Sequence, residues 1–230
     1  MNVRTTIVFS SLALIYLATL PLTPYVAQFL PKALPIVVLA VFAYTKLSAM
    51  PRYMVLTALL FSLAGDVSLA LPFADSFITG LACFFVAHLT YAMCFALLHR
   101  RLVETPGDHI ISRKPKWFIS IIMVSFAVMM AVHILPASKA LFYPVVAYIS
   151  VITLMGLTAV WLAQTKLIVT GALLFVISDA ILAQSVFKIP LPLSTFWVMT
   201  TYYGAQYCLT MGLVDGFLRK ENKQEEIGQT

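Results

Sequence analysis

The chain has 230 residues, of which 61% are hydrophobic and only 10% charged, against the roughly 25% charged of an ordinary globular domain. A surface this poor in charge, with a mean hydropathy of +0.95, excludes a soluble domain and points to lipid as the solvent, since acyl tails require no polar partner. The formal net charge of +6 does not mark a nucleic-acid binder, because the basic residues fall in short segments between apolar runs, as membrane topology signals do.

Eight apolar runs, each near the roughly 20 residues that cross a bilayer, predict an all-α, polytopic transmembrane helix bundle occupying residues 1–230 as one integral membrane domain. In chain order they cover about residues 5–22, 33–48, 53–71, 76–98, 117–135, 140–162, 167–187 and 193–217. The first, led by Arg4, reads as a span and not as a cleaved signal, because seven more follow it. Pro35 and Pro144 are expected near helix starts, where a missing N–H costs little. The polar stretch at 99–116, with Pro106-Gly107, reads as a loop, and 219–230 as a short solvated tail. Cys83, Cys94 and Cys208 lie inside apolar runs as packing residues.

With eight spans, one side of the membrane holds Arg4, Lys46, Arg52, Arg100, Arg101, Arg113, Lys114, Lys116, Lys166, Arg219, Lys220 and Lys223. The other holds only Lys32, Lys139 and Lys188. This bias places both termini in the cytoplasm, in the inner or plasma membrane of a bacterium or the endoplasmic reticulum of a eukaryote.

A faint repeat accompanies the spans. Lys32-Ala33-Leu34 before Pro35 answers to Lys139-Ala140-Leu141 before Pro144, Gly65-Asp66 to Ser178-Asp179, and His88 to Gln206. The offset of four helices preserves orientation, so a 4+4 parallel repeat is expected, with a site where the halves meet.

Asp66 and Asp179 carry the functional signal, since an acid near the centre of a span costs about 2.5–3.5 kcal/mol on insertion scales. Helical spacing puts Gly171, Phe175 and Asp179 on one face, and Gly80, Phe84, His88 and Tyr91 on another. Tyr202, Tyr203 and Gln206 follow on the last span. Such faces suit a pocket that holds an apolar tail while a few polar groups meet a reacting centre. Ser178, beside Asp179, points about 100° away from it and reads first as a packing residue. His88 is the only histidine deep in a span, a poor set for a catalytic zinc, and no metal or other cofactor is expected.

These residues, taken in order, resemble the YhhN-like membrane proteins, which include the lysoplasmalogenases. The matching elements are Lys32-Ala33-Leu34-Pro35, Gly65-Asp66 with Leu69, Gly80 through Phe84, His88 and Tyr91, Gly171-Ala172, Phe175, Ser178-Asp179, and Tyr202-Tyr203 with Ala205-Gln206. The resemblance implies an ether hydrolase of lipid metabolism. Its substrate would be a lysophospholipid among membrane lipids, whose vinyl ether is cut to a fatty aldehyde and glycerophosphoethanolamine or glycerophosphocholine. Acid cleavage of a vinyl ether needs a proton donor, a negative charge near the resulting cation and a placed water, a task that two carboxyls share in glycosidases. Asp66 and Asp179 are expected in these catalytic roles within one shared chamber. Lys32 at the mouth, with His88, Tyr91, Ser178, Tyr202, Tyr203 and Gln206, would position substrate or water. Replacing either aspartate by asparagine is expected to stop aldehyde release. A proton-coupled transporter or lipid scramblase, and a metal-dependent ceramidase-like lipid amidase, are the competing readings.

Overall fold

The computed structural model describes residues 3–25, 27–103, 113–163 and 165–228. Among them the backbone forms eight α-helices: α1 (Val3–Thr19), α2 (Phe29–Lys46), α3 (Ala49–Ala70), α4 (Ser76–Val103), α5 (Arg113–Ser138), α6 (Phe142–Thr158), α7 (Lys166–Phe187) and α8 (Ser194–Gly228). In lipid only a helix satisfies its own backbone groups within one segment, so apolar runs of this length have little alternative. Each expected span has its helix.

The ends differ from expectation in an instructive way. Helix α2 starts at Phe29, which puts Pro31 in its first turn and Pro35 inside it, so Pro35 is not the start residue. Pro144 does sit in the first turn of α6. Helices α4 and α5 reach Val103 and Arg113, into the stretch expected as loop, and α8 continues through the expected tail to Gly228. Charged residues mark where a helix leaves lipid, not where it stops, because Lys, Arg and Glu are good helix formers in water. Pro106-Gly107 lies outside the described residues.

Among the described residues six stretches are long and apolar enough to cross a membrane, one of them, Pro115–Ala163, running through both α5 and α6. Helix α8 is not among them, and its position explains why. It packs most extensively on α7 and also touches α1, α2, α3 and α4, and Tyr202, Tyr203, Gln206 and Thr210 along it are buried. A helix enclosed by protein has no need to be apolar on every face. The outer helices show the reverse: Phe118 is 66% and Val132 72% exposed on α5. Exposed apolar side chains in such continuous patches belong against acyl chains. The protein is a multi-pass membrane bundle.

The tightest helix pairs are α3 with α4 and α7 with α8, and glycine permits both. A Cβ on Gly65 would come within 2.7 Å of the Phe84 ring. On Gly171 it would lie 2.9 Å from the backbone nitrogen of Leu209 and 3.0 Å from the carbonyl oxygen of Ala205. Those obstacles on α8 are main-chain atoms, which cannot swing aside. Gly171→Ala is therefore expected to push α7 off α8 and cost about 1–3 kcal/mol, read as a lowered melting temperature in detergent.

Candidate active site

Two polar centres occupy the interior. The first is built on Asp66, which is 3% exposed. Lys32 on α2 places its Nζ 3.2 Å from Oδ1 of Asp66 and donates to the Asp66 carbonyl oxygen at 3.1 Å. The Tyr202 hydroxyl on α8 donates to Oδ2 at 2.5 Å, and Tyr203 donates to the Lys32 carbonyl at 2.8 Å. Three helices thus close an ion pair away from lipid. Lys32 is not at an open mouth: its side chain is 11% exposed and turned onto Asp66. An ammonium in the interior needs a carboxylate more than it needs a view of solvent.

The second centre is built on Asp179 of α7. Its Oδ2 accepts a hydrogen bond from the Tyr148 hydroxyl of α6 at 2.6 Å and lies 3.2 Å from Nε2 of His88 on α4. That nitrogen is also 3.0 Å from the Tyr148 oxygen, so carboxyl, imidazole and phenol form a triangle joining three helices. Here the carboxyl is not sealed. Asp179 and Tyr148 line a cavity of about 80 Å³ whose walls are otherwise almost wholly apolar, including Phe84, Phe126, Met130, Ile152 and Phe187. A cavity with an apolar wall and few polar groups is the common form of a small-molecule site.

The two acids do not share that cavity. Asp66 does not line it, and aromatic rings stand between the centres: Phe175 packs edge-on against Tyr202 at 5.5 Å and against His88 at 4.5 Å. Phe84 lies 6.2 Å from Phe175 and 5.9 Å from Tyr202. Of the two carboxyls only that of Asp179 faces open space.

The remaining expected residues divide between these centres and the packing. Tyr91 donates to Oε1 of Gln206 at 2.6 Å, tying α4 to α8. Ser178 donates to the Val198 carbonyl at 3.1 Å, which makes it a helix-packing group and not part of either centre. Among the described residues no three His, Cys, Asp or Glu side chains converge. Tyr148 was missed by the sequence reading, which treated α6 as an apolar run. The available signal was a tyrosine three residues after buried Val145 and four before buried Ile152, on the inward face.

Fold and site together define a class: a helical multi-pass membrane protein with a carboxyl–imidazole–phenol centre on the wall of an apolar cavity. A family model, the YhhN family, matches residues 27–213, a range that contains both centres. The chain belongs to the YhhN family. It is 35% identical to the Homo sapiens lysoplasmalogenase TMEM86B over 190 residues, which cover 79% of this chain and 73% of that protein. With the Bos taurus lysoplasmalogenase TMEM86A it shares 29% identity over 171 residues, covering 70% of this chain and 65% of the relative. With the Sus scrofa lysoplasmalogenase TMEM86B it shares 32% over 160 residues, covering 68% and 61%. No solved structure matches the chain.

Proposed function

We propose that this protein is an enzyme of the lysoplasmalogenase type. It takes a lysoplasmalogen from the surrounding membrane lipids and cleaves its vinyl ether, releasing a fatty aldehyde and glycerophosphoethanolamine or glycerophosphocholine. The observation that carries the proposal is the placement of Asp179: of the two acids within α3 and α7 it alone faces the apolar cavity, with Tyr148 and His88 both on its Oδ2. The names of the relatives support the substrate.

The chemistry runs as follows. Protonated Asp179 delivers its proton to the β-carbon of the vinyl ether, and the ether oxygen and neighbouring carbon share the resulting positive charge. The aspartate left behind is hydrogen-bonded by Tyr148, so its charge is stabilised as it forms, an interaction stronger in the transition state than before it. That carboxylate, with His88 beside it, then takes a proton from the water that adds to the cation. The hemiacetal formed collapses to aldehyde and glycerol hydroxyl. The ion pair of Asp66 and Lys32 supports this centre from behind through Tyr202 and Phe175, and does not touch the reacting bond.

The distribution of Lys and Arg supports cytoplasmic termini. The cavity, which reaches Phe77 and Phe187 near the ends of α4 and α7, then opens toward the non-cytoplasmic leaflet, where a headgroup remains in the interface while its chain lies among the helices.

Incubating purified protein with alkenyl and acyl lysophospholipids, with and without chelator, tests the reading. Aldehyde from the alkenyl lipid alone, at a rate indifferent to chelator, is the expected result. Free fatty acid from the acyl lipid, lost with chelator, would replace this proposal with the metal-dependent hydrolase. Tyr148→Phe removes the hydroxyl's bond to the Asp179 carboxyl and its contact with Nε2 of His88, and leaves the ring in place. It should lower kcat about 10- to 100-fold, equivalent to about 1.5–3 kcal/mol, with KM within about twofold.

A further inference from the structure

Three of the buried polar atoms that have no hydrogen-bond partner among the described residues are Oγ of Ser62, Nδ1 of His88 and Nε2 of Gln206. All three residues are fully buried, at 0% exposure. Most buried polar atoms in proteins are satisfied by protein groups or by ordered water, so each exception calls for an explanation. Helical register puts these three at one level. Asp66 on α3 meets Tyr202 on α8, and one turn further along these oppositely running helices brings Ser62 level with Gln206. Gly65 on α3 abuts Phe84 on α4, and one turn on brings Ser62 level with His88. Tyr91, in the next turn of α4, is bonded to Gln206, which fixes the third side of the same layer. With the amide oxygen on Tyr91 the free end is the NH2, a donor, and with the amide turned over it is the oxygen, an acceptor, so one end of Gln206 is left for a partner in either orientation.

We infer that Ser62, His88 and Gln206 hold an internal water molecule one turn from the Asp66–Lys32 pair, and that this water fixes the tautomer of His88. The valences fit. The Gln206 amide donates to the water, the water donates one hydrogen to Nδ1 of His88, and the Ser62 hydroxyl takes the other or donates in its place. Three hydrogen bonds are the usual complement of a buried water. Which nitrogen of an imidazole carries the proton is set by the bond the other nitrogen makes. With Nδ1 accepting from water, the proton resides on Nε2, the atom 3.2 Å from Asp179. His88 then faces Asp179 as a donor. The three residues are positioning residues, and their consequence for turnover rests on the vinyl ether proposal; the water site itself does not.

The sign of a stability change tests the site on the full chain in detergent. If Ser62 bonds a held water, Ser62→Ala breaks that network and lowers the melting temperature, by about 2–4 °C for a chain of this size. If the hydroxyl is truly unpaired, alanine removes an unmet polar group and the melting temperature stays or rises, which overturns the proposal. Should the variant fail to accumulate, nitrogen NMR of histidine-labelled wild type decides alone. An Nδ1 resonance in the hydrogen-bonded range, on a neutral ring protonated at Nε2, is expected; a resonance in the range of an unbonded ring nitrogen contradicts the site. Neither readout requires turnover, so absence of aldehyde release would count against the hydrolase and not against the water.

Discussion

Asp179→Asn is expected to lower kcat for aldehyde release by about 10²- to 10⁴-fold, the usual contribution of a placed general acid, while the protein inserts and melts like the wild type. The asparagine has the size and shape of the acid it replaces, and its amide oxygen still accepts from the Tyr148 hydroxyl that lies 2.6 Å away. The side chain borders a cavity instead of an ion pair, with 13% of its surface open, so no opposite charge is stranded by the change. What disappears is the transferable proton. Mass spectrometry of aldehyde, run beside a thermal melt of the same preparation, separates loss of chemistry from loss of fold. Turnover near wild type in the folded variant would remove Asp179 from the mechanism.

The first centre should answer differently. Lys32→Met leaves the Asp66 carboxylate, 4% exposed, without the ammonium that stood 3.2 Å away. Breaking one partner of a buried pair costs about 3–5 kcal/mol, because a charge remains with no solvent and no partner. Removing both charges is far milder. The double variant Lys32→Met with Asp66→Asn keeps an acceptor for the Tyr202 hydroxyl and is expected to recover most of the lost melting temperature. Activity should follow the folded fraction in both variants. A double variant no more stable than Lys32→Met would show that the two residues do not act as a pair.

These contrasting expectations mark how far the sequence could be read. Its apolar runs announced every helix, since crossing lipid imposes length and composition together. Helix α8 was legible through its length and flanking charges more than its hydropathy, because Tyr202, Tyr203 and Gln206 on it are covered by other helices. The acids were legible because an ionisable group in a span is rare and needs a reason. Their different surroundings were not. Asp66 and Asp179 occupy matching places in the repeat pattern, yet Lys32 bonds Asp66, whereas the corresponding Lys139 is exposed. Asp179 instead finds His88, 91 residues away in sequence, and Asp66 finds Tyr202, 136 residues away. Each acid reaches across to the other half of the chain, and no local spacing encodes a contact of that range. The same limit hid Tyr148, whose role depends on α6 and α7 meeting at one particular height.

Turnover in heavy water tests the central claim most directly. If a carboxylic acid protonates the β-carbon of the vinyl ether, aldehyde formed in D₂O and reduced at once to the alcohol carries one deuterium on the carbon next to the former carbonyl. Because every route from the vinyl ether to the aldehyde adds a hydrogen there, the rate decides: the account predicts slower turnover in D₂O than in H₂O, and equal rates in the two solvents would contradict proton transfer from Asp179 as the step that controls turnover.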